Sequence, residues 1–215
     1  MRAKQAGPQL FDAGEPASSP QVVLARDGLV TYDPHFLDRA SADAAFRLLL
    51  PGTAWSQESL TVYGRRIPFP RLTAWYGDPG AVYTYSGIRN EPHRWTPPLR
   101  DLRDRLERRL GARFNSVLLN QYRHGEESMG WHADDERELG DAPLIASLSL
   151  GAVREFQLKH RTARTRIALA LGHGSMLVMA GETQRYWLHR LPKAPLVPGI
   201  RINLTFRLIV ATSST

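Results

Sequence analysis

The tightest constraint on the fold is a run of seven residues near the C-terminal end, Arg201 to Arg207, with the sequence RINLTFR. Successive side chains of an extended strand point to opposite faces. Ile202, Leu204 and Phe206, with Leu208 beyond them, therefore form an apolar face suited to inward packing. Arg201, Asn203 and Arg207 share the other face. Two guanidinium groups and an amide pointing the same way are poorly explained by core packing. Arginine forks hold carboxylates through paired hydrogen bonds, so a face with two of them suits a dicarboxylate. In Asn120-Gln121-Tyr122, Asn120 and Tyr122 also share a face and can donate to a carboxylate.

The chain around this run has a division of labour. From Phe114 onward, residues 117–122, 144–150, 155–159, 166–171, 175–179 and 202–210 suit β structure, with Gly or Pro in the loops between them. Earlier, 22–24 and 29–32 form a first strand pair. Ser41 reads as the N-cap of a helix that carries Ala44, Phe46, Leu49 and Leu50 on one face and stops at Pro51-Gly52. A second helix follows Pro97-Pro98, with a stripe of Leu99, Leu102, Leu106 and Leu110 and a terminal Gly111. It is expected to pack on a sheet. Residues 55–76 alternate apolar and basic pieces, with a hairpin tip at Tyr63-Gly64, and Tyr83 and Tyr85 share a face of a strand at 82–86. Helices early and strands late argue for an α+β fold whose strands form a jelly-roll sandwich. Residues 1–27, rich in Pro, Gly, Ala and Ser, read as a flexible tail, leaving 28–215 as a single domain.

Composition removes several classes of chemistry. There is no cysteine, which excludes disulfides, thiolate ligands and a cysteine nucleophile. No secretory signal and no apolar run long enough to span a bilayer is visible, so no membrane partner is expected. The expected setting is intracellular: cytoplasmic in a bacterium, nuclear in a eukaryote. A net charge of +7 and a sequence pI near 10.1 suit nucleic acid, although a modest positive charge also serves solubility alone. Within the tail, Gln9-Leu10-Phe11 is an isolated apolar knot. It is either a short peptide that docks on a partner such as a sliding clamp or a stray hydrophobic pair. The protein is expected to be a monomer.

His132-Ala133-Asp134 places an imidazole and a carboxylate on one side of an extended segment. His189, in HRLPK, is the best third ligand. Two histidines and one carboxylate with open positions are the arrangement of non-haem Fe(II) oxygenases. With seven histidines in the chain, that pattern alone is weak. It gains weight beside a wall built for a dicarboxylate.

Taken together, NQYRHGEESMGWHADDERELG, IASLSLGAVREF, LGHGSMLVMAG, YWLHRLPK and RINLTFR resemble the AlkB family of Fe(II)/2-oxoglutarate dioxygenases, in the branch that includes the human DNA-repair homologues. PRLTAWYGDPGAVYTYSG is similar to that family's nucleotide-recognition part. The resemblance implies a double-stranded β-helix with supporting helices and a nucleotide-recognition lid over residues 55–90. It implies Fe(II) on His132, Asp134 and His189. It further implies 2-oxoglutarate held by Arg201 at its distal carboxylate, by Arg207 near the carboxylate at the metal, and by Asn120, Tyr122 and Asn203. The implied reaction uses O2 and 2-oxoglutarate, gives succinate and CO2, and hydroxylates an N-methyl group that leaves as formaldehyde. Its typical substrates are 1-methyladenine and 3-methylcytosine in alkylated DNA.

A base must leave its stack to reach such a metal. On this resemblance Trp131 and Tyr85 sandwich it, with Tyr83 and Ser86 beside it. Glu136 contacts the exocyclic amino group, and Asp135 contacts the base or pairs with an arginine. Tyr63 stands where duplex-acting members carry a phenylalanine wedge, and Arg65, Arg66 and Arg71 are placed to hold phosphates. The same chemistry on RNA and a catalytically silent nucleic-acid-binding jelly roll are the alternatives. A silent binder needs neither the triad nor both arginines, and a zinc hydrolase would not explain RINLTFR.

Overall fold

The computed structural model describes residues 19–62, 64–81, 83–85 and 88–210, with side chains except at 60, 62, 83–85 and 88–90. Tyr63, Ser86 and the knot Gln9-Leu10-Phe11 lie outside the described residues, as do the side chains of Tyr83 and Tyr85.

The chain begins with a strand pair, β1 (Gln21–Leu24) and β2 (Leu29–Asp33), so the last residues of the expected tail belong to the fold. Val30 and Leu24 are buried there, which gives this segment the apolar anchor that the rest of the tail lacks. Helix α1 (Arg39–Gly52) starts earlier than the sequence suggested. Its N-cap is Asp38 rather than Ser41: Asp38 accepts the Ser41 N–H and the Ser41 hydroxyl, both at 2.8 Å. A carboxylate three residues ahead satisfies a free helical N–H better than a serine already inside the first turn.

A two-stranded hairpin, β3 (Ser59–Val62) and β4 (Arg65–Pro68), turns at Gly64, whose φ of +75° favours glycine. There follow β5 (Leu72–Gly77), the small pair β6 (Tyr83–Tyr85) and β7 (Ile88–Asn90), and the short β8 (His93–Arg94). Helix α2 (Pro97–Leu110) has proline in its first turn and ends at Gly111, φ +61°, whose N–H returns to Glu107 O at 2.9 Å. The remaining strands are β9 (Ser116–Tyr122), β10 (Met129–His132), β11 (Ile145–Gly151), β12 (Arg154–His160), β13 (Arg166–Leu171) and β14 (Ser175–Ala180). A one-turn helix α3 (Thr183–Tyr186) leads to β15 (Trp187–Leu191), and β16 (Arg201–Arg207) closes the fold.

Two sheets carry the architecture. The larger runs β1-β2-β14-β11-β16-β9-β5-β8, and the smaller runs β10-β15-β12-β13. Ile145, Leu177 and Met179 of the larger sheet pack with Phe156, Leu158, Leu171 and Trp187 of the smaller one, as in a jelly-roll sandwich. On the outer face of the larger sheet, α1 and α2 cover Val117, Leu119, Leu148, Leu150, Ile202, Leu204 and Phe206 with Ala45, Leu49, Leu99, Leu102 and Leu106. The apolar face of RINLTFR therefore packs against the helices, and its polar face looks between the sheets. Leu208 does not join that apolar face. The strand ends at Arg207, and Leu208 is 44% exposed.

Candidate active site

Register builds the site. In the smaller sheet His132 of β10 stands directly opposite His189 of β15, and their ring centroids are 4.1 Å apart. Phe156 stacks on His189 from β12, at 5.4 Å. Beyond the end of β10 the chain carries Asp134 back toward both rings, with its Oδ1 4.0 Å from His132 Nε2. One ligand atom from each of His132, Asp134 and His189 lies within 4.8 Å of the others. Among the described residues this is the one group of three or more such donors close enough to share an ion.

The protonation states suit a cation. His132 Nδ1 donates to Gly130 O at 2.9 Å, which leaves the Nε2 lone pair for a metal. Burial, aided by His132, pushes the His189 imidazole down to about 3, so it is neutral at pH 7. Burial works to raise the Asp134 carboxyl, yet Arg207, with His189 and His132, outweighs it and holds that carboxyl below its ordinary range. Arg207 Nη2 sits 2.8 Å from Asp134 Oδ1, with both side chains 5% exposed. Two imidazoles and a carboxylate are the donor set that Fe(II) takes in the facial-triad arrangement.

Behind the triad, the larger sheet supplies a polar wall from strands whose register brings Asn203 opposite both Asn120 and Ser149, and Arg201 opposite Tyr122. A narrow cavity of about 40 Å³ lies here, bounded by Asn120, Tyr122, Arg201, Asn203 and Arg207 together with the triad. Arg201 is 1% exposed. Its Nη2 donates to Ser149 Oγ at 2.9 Å and Asn203 Oδ1 at 3.2 Å, whereas its Nε and Nη1 have no hydrogen-bond partner among the described residues. Burial lowers this guanidinium to about 10, so it remains charged at pH 7. A buried cation with two idle donors fits a carboxylate, as the dicarboxylate reading requires. Ser147 and Ser149, which brace Asn203 and Arg201, were missed in the sequence. Their alternation in IASLSLG was the available signal.

In front of the triad opens a second pocket of about 200 Å³. Leu118, Met129, His132, Asp134 and Arg207 line both spaces, so the two meet at the triad. Glu136 lines the outer pocket, as expected of a substrate contact. Arg71 also lines it, but not as a phosphate clamp: it is 6% exposed, lies over the Phe69 ring at 4.7 Å, and donates from Nε to Asn120 Oδ1 at 2.8 Å. It immediately precedes β5, whose Thr73 and Trp75 line the same pocket and were not singled out in the sequence. Arg65 and Arg66 are exposed on β4, open to solvent.

Trp131 does not face either cavity. It is one residue from His132 on β10, so it points to the opposite face, where Arg190 and Lys159 lie over its ring at 4.5 and 4.7 Å. Asp135 also turns away, into an ion pair with Arg161 at 3.0 Å, which is the arginine pairing weighed from the sequence.

Comparison with known proteins places this arrangement. The sequence profile described as the 2OG-Fe(II) oxygenase superfamily matches residues 29–207. The chain is 41% identical over 186 residues to the alpha-ketoglutarate-dependent dioxygenase alkB homolog 3 of Homo sapiens, covering 82% of this chain and 64% of that protein. It is 40% identical over 200 residues to the DNA oxidative demethylase ALKBH2 of Mus musculus, covering 88% of this chain and 84% of that one. Among solved structures, that of OsALKBH1 superposes with a TM-score of 0.60 at 18% identity, over 88% of this chain and all (100%) of that one, a likeness of fold. The profile match spans every strand of both sheets except β1 and every residue of the triad and its polar wall, and the chain belongs to the 2OG-Fe(II) oxygenase superfamily.

Proposed function

We propose that the protein is an Fe(II)- and 2-oxoglutarate-dependent dioxygenase that demethylates N-alkylated bases such as 1-methyladenine and 3-methylcytosine in DNA. The observation that carries this reading is the meeting of a small, arginine-lined cavity and a larger pocket at one His-Asp-His triad. Relatives named as a DNA oxidative demethylase, at about 40% identity, support it. The net charge of +7 agrees with a nucleic-acid substrate.

Bound Fe(II) and 2-oxoglutarate supply the oxidation of an N-methyl group by O2, which leaves as formaldehyde while 2-oxoglutarate becomes succinate and CO2. The chain's own residues arrange the partners. His132, Asp134 and His189 would hold the metal. Arg201 would pair with the distal carboxylate of 2-oxoglutarate, with Asn120 and Tyr122 placed to donate to it and Asn203 bracing Arg201. Arg207 keeps Asp134 ionised and fixed. The outer pocket takes the extruded base, with Glu136 accepting from its exocyclic amino group and Arg71 and Trp75 as walls. Exposed Arg65 and Arg66 on the β3–β4 hairpin lie where a phosphate backbone would pass.

The test is a panel of oligonucleotides carrying 1-methyladenine or 3-methylcytosine, as single-stranded DNA, duplex DNA and RNA, analysed for restored bases with and without Fe(II). The reading expects restoration in DNA that depends on Fe(II) and is lost in His132→Ala. Restoration in RNA alone would move the substrate, and none in any arm would remove the activity.

A further inference from the structure

Residues 133–135 follow the end of β10 and have no partners in the sheet ladder. Something else must fix Asp134, and α3 provides it. Gln184 is 3% exposed; its Oε1 accepts the backbone N–H of Asp134 at 2.9 Å, and its Nε2 donates to Met179 Sδ at 3.5 Å. These contacts determine the amide's orientation, because a flipped amide would set an NH2 group against the Asp134 N–H. Gln184 is itself anchored. Its neighbour Thr183 donates from Oγ1 to Ala180 O at 2.6 Å and accepts the Leu29 N–H at 3.0 Å. Gly28 approaches so closely that a Cβ there would lie 2.5 Å from Thr183 Oγ1. Arg161 reaches Gln184 O at 3.4 Å and Asp135 Oδ2 at 3.0 Å, tying α3 to the same loop from its other side.

We propose that Gln184 is a positioning residue for the metal site: it holds the backbone of Asp134 so that the carboxylate stays directed at His132 and His189. The proposal rests on the reading of that triad as a metal site. Arg207 grips the carboxylate itself, at 2.8 Å. With the backbone released, that grip is free to draw the carboxylate out of line with the two imidazoles. Gln184 lines neither cavity, so its effect passes through Asp134.

The experiment is titration of the full chain with Co(II) alone, without 2-oxoglutarate, followed by the visible absorption of the bound metal. Gln184→Met keeps the length of the side chain and removes the acceptor. It is expected to raise the Co(II) dissociation constant by about tenfold or more, the usual effect of losing a partner that orients a ligand. Gln184→Glu keeps an acceptor oxygen and should stay within about threefold of the natural chain. Thermal melts of the metal-free proteins show whether either change acts through folding. Should Gln184→Met not fold, Gln184→Asn, which withdraws the oxygen by one methylene, is judged by the same criterion. An unchanged Co(II) constant in Gln184→Met, or equal losses in the Met and Glu variants, would overturn the proposal while leaving the triad intact. Failure of the natural chain to bind Co(II) at all would instead remove the metal site, and this proposal with it.

Discussion

A guanidinium as deeply buried as that of Arg201 is stable only when its donors are met, and two of them are idle among the described residues. Arg201→Leu should therefore weaken 2-oxoglutarate binding. A charge-assisted hydrogen bond in such a place is worth about 1.5–3 kcal/mol, or roughly ten- to a hundredfold. The measurement is the 2-oxoglutarate concentration giving half-maximal succinate release, and an unmoved value would place the cosubstrate elsewhere. This residue was legible because strand alternation is a local rule: Arg201, Asn203 and Arg207 had to share a face wherever the strand went. The same rule was available for Trp131, whose neighbour His132 was already assigned to the site. Two adjacent strand residues cannot both face one cavity, and the structure turns Trp131 to Arg190 and Lys159. Arg71 was misjudged for a different reason. Its basic neighbours suggested a surface, but the Asn120 side-chain oxygen that holds it inward lies on β9, far away in sequence.

At the scale of elements, α2 and the later strands could be read from periodicity, glycine and proline, and their bounds differ little from those expected. The start of α1 could not, because a serine and an aspartate three residues apart are both good caps. The geometry makes their roles separable. Asp38→Ala removes the acceptor for the Ser41 N–H and should cost about 1 kcal/mol, as lost caps do, whereas Ser41→Ala leaves that bond and should cost clearly less. Urea denaturation of the two variants checks this, and equal losses would return the cap to Ser41. The hydrogen bonds from Ser41, backbone first, hold the Asp38 carboxyl below 3.8. The cap's contribution is thus full above that value and fades as the pH falls through the lowered pKa. Strands β5, β10 and β15 were less visible. β5 is buried on both faces and shows no alternation, and a register shift between Met129 and His132 interrupts the pattern of β10. α3 is one turn long, too short for periodicity to reveal, and so Gln184 carried no signal.

For the whole molecule, the arrangement that matters is two sheets closing on one interior, with helices outside the larger sheet and a polar floor inside it. Composition and strand order were enough to expect a sandwich. They could not show that its interior would be divided into an inner space of about 40 Å³ and an outer one of about 200 Å³. That division is the central claim in physical form: on the proposed function the cosubstrate would enter behind the triad and the base in front, so a coupled turnover would use both. The most direct measurement is the ratio of succinate to formaldehyde in one reaction with Fe(II), 2-oxoglutarate, O2 and DNA containing 1-methyladenine. The account predicts a ratio near one, with both products lost in Asp134→Ala. Succinate without formaldehyde at every concentration of methylated DNA would contradict it.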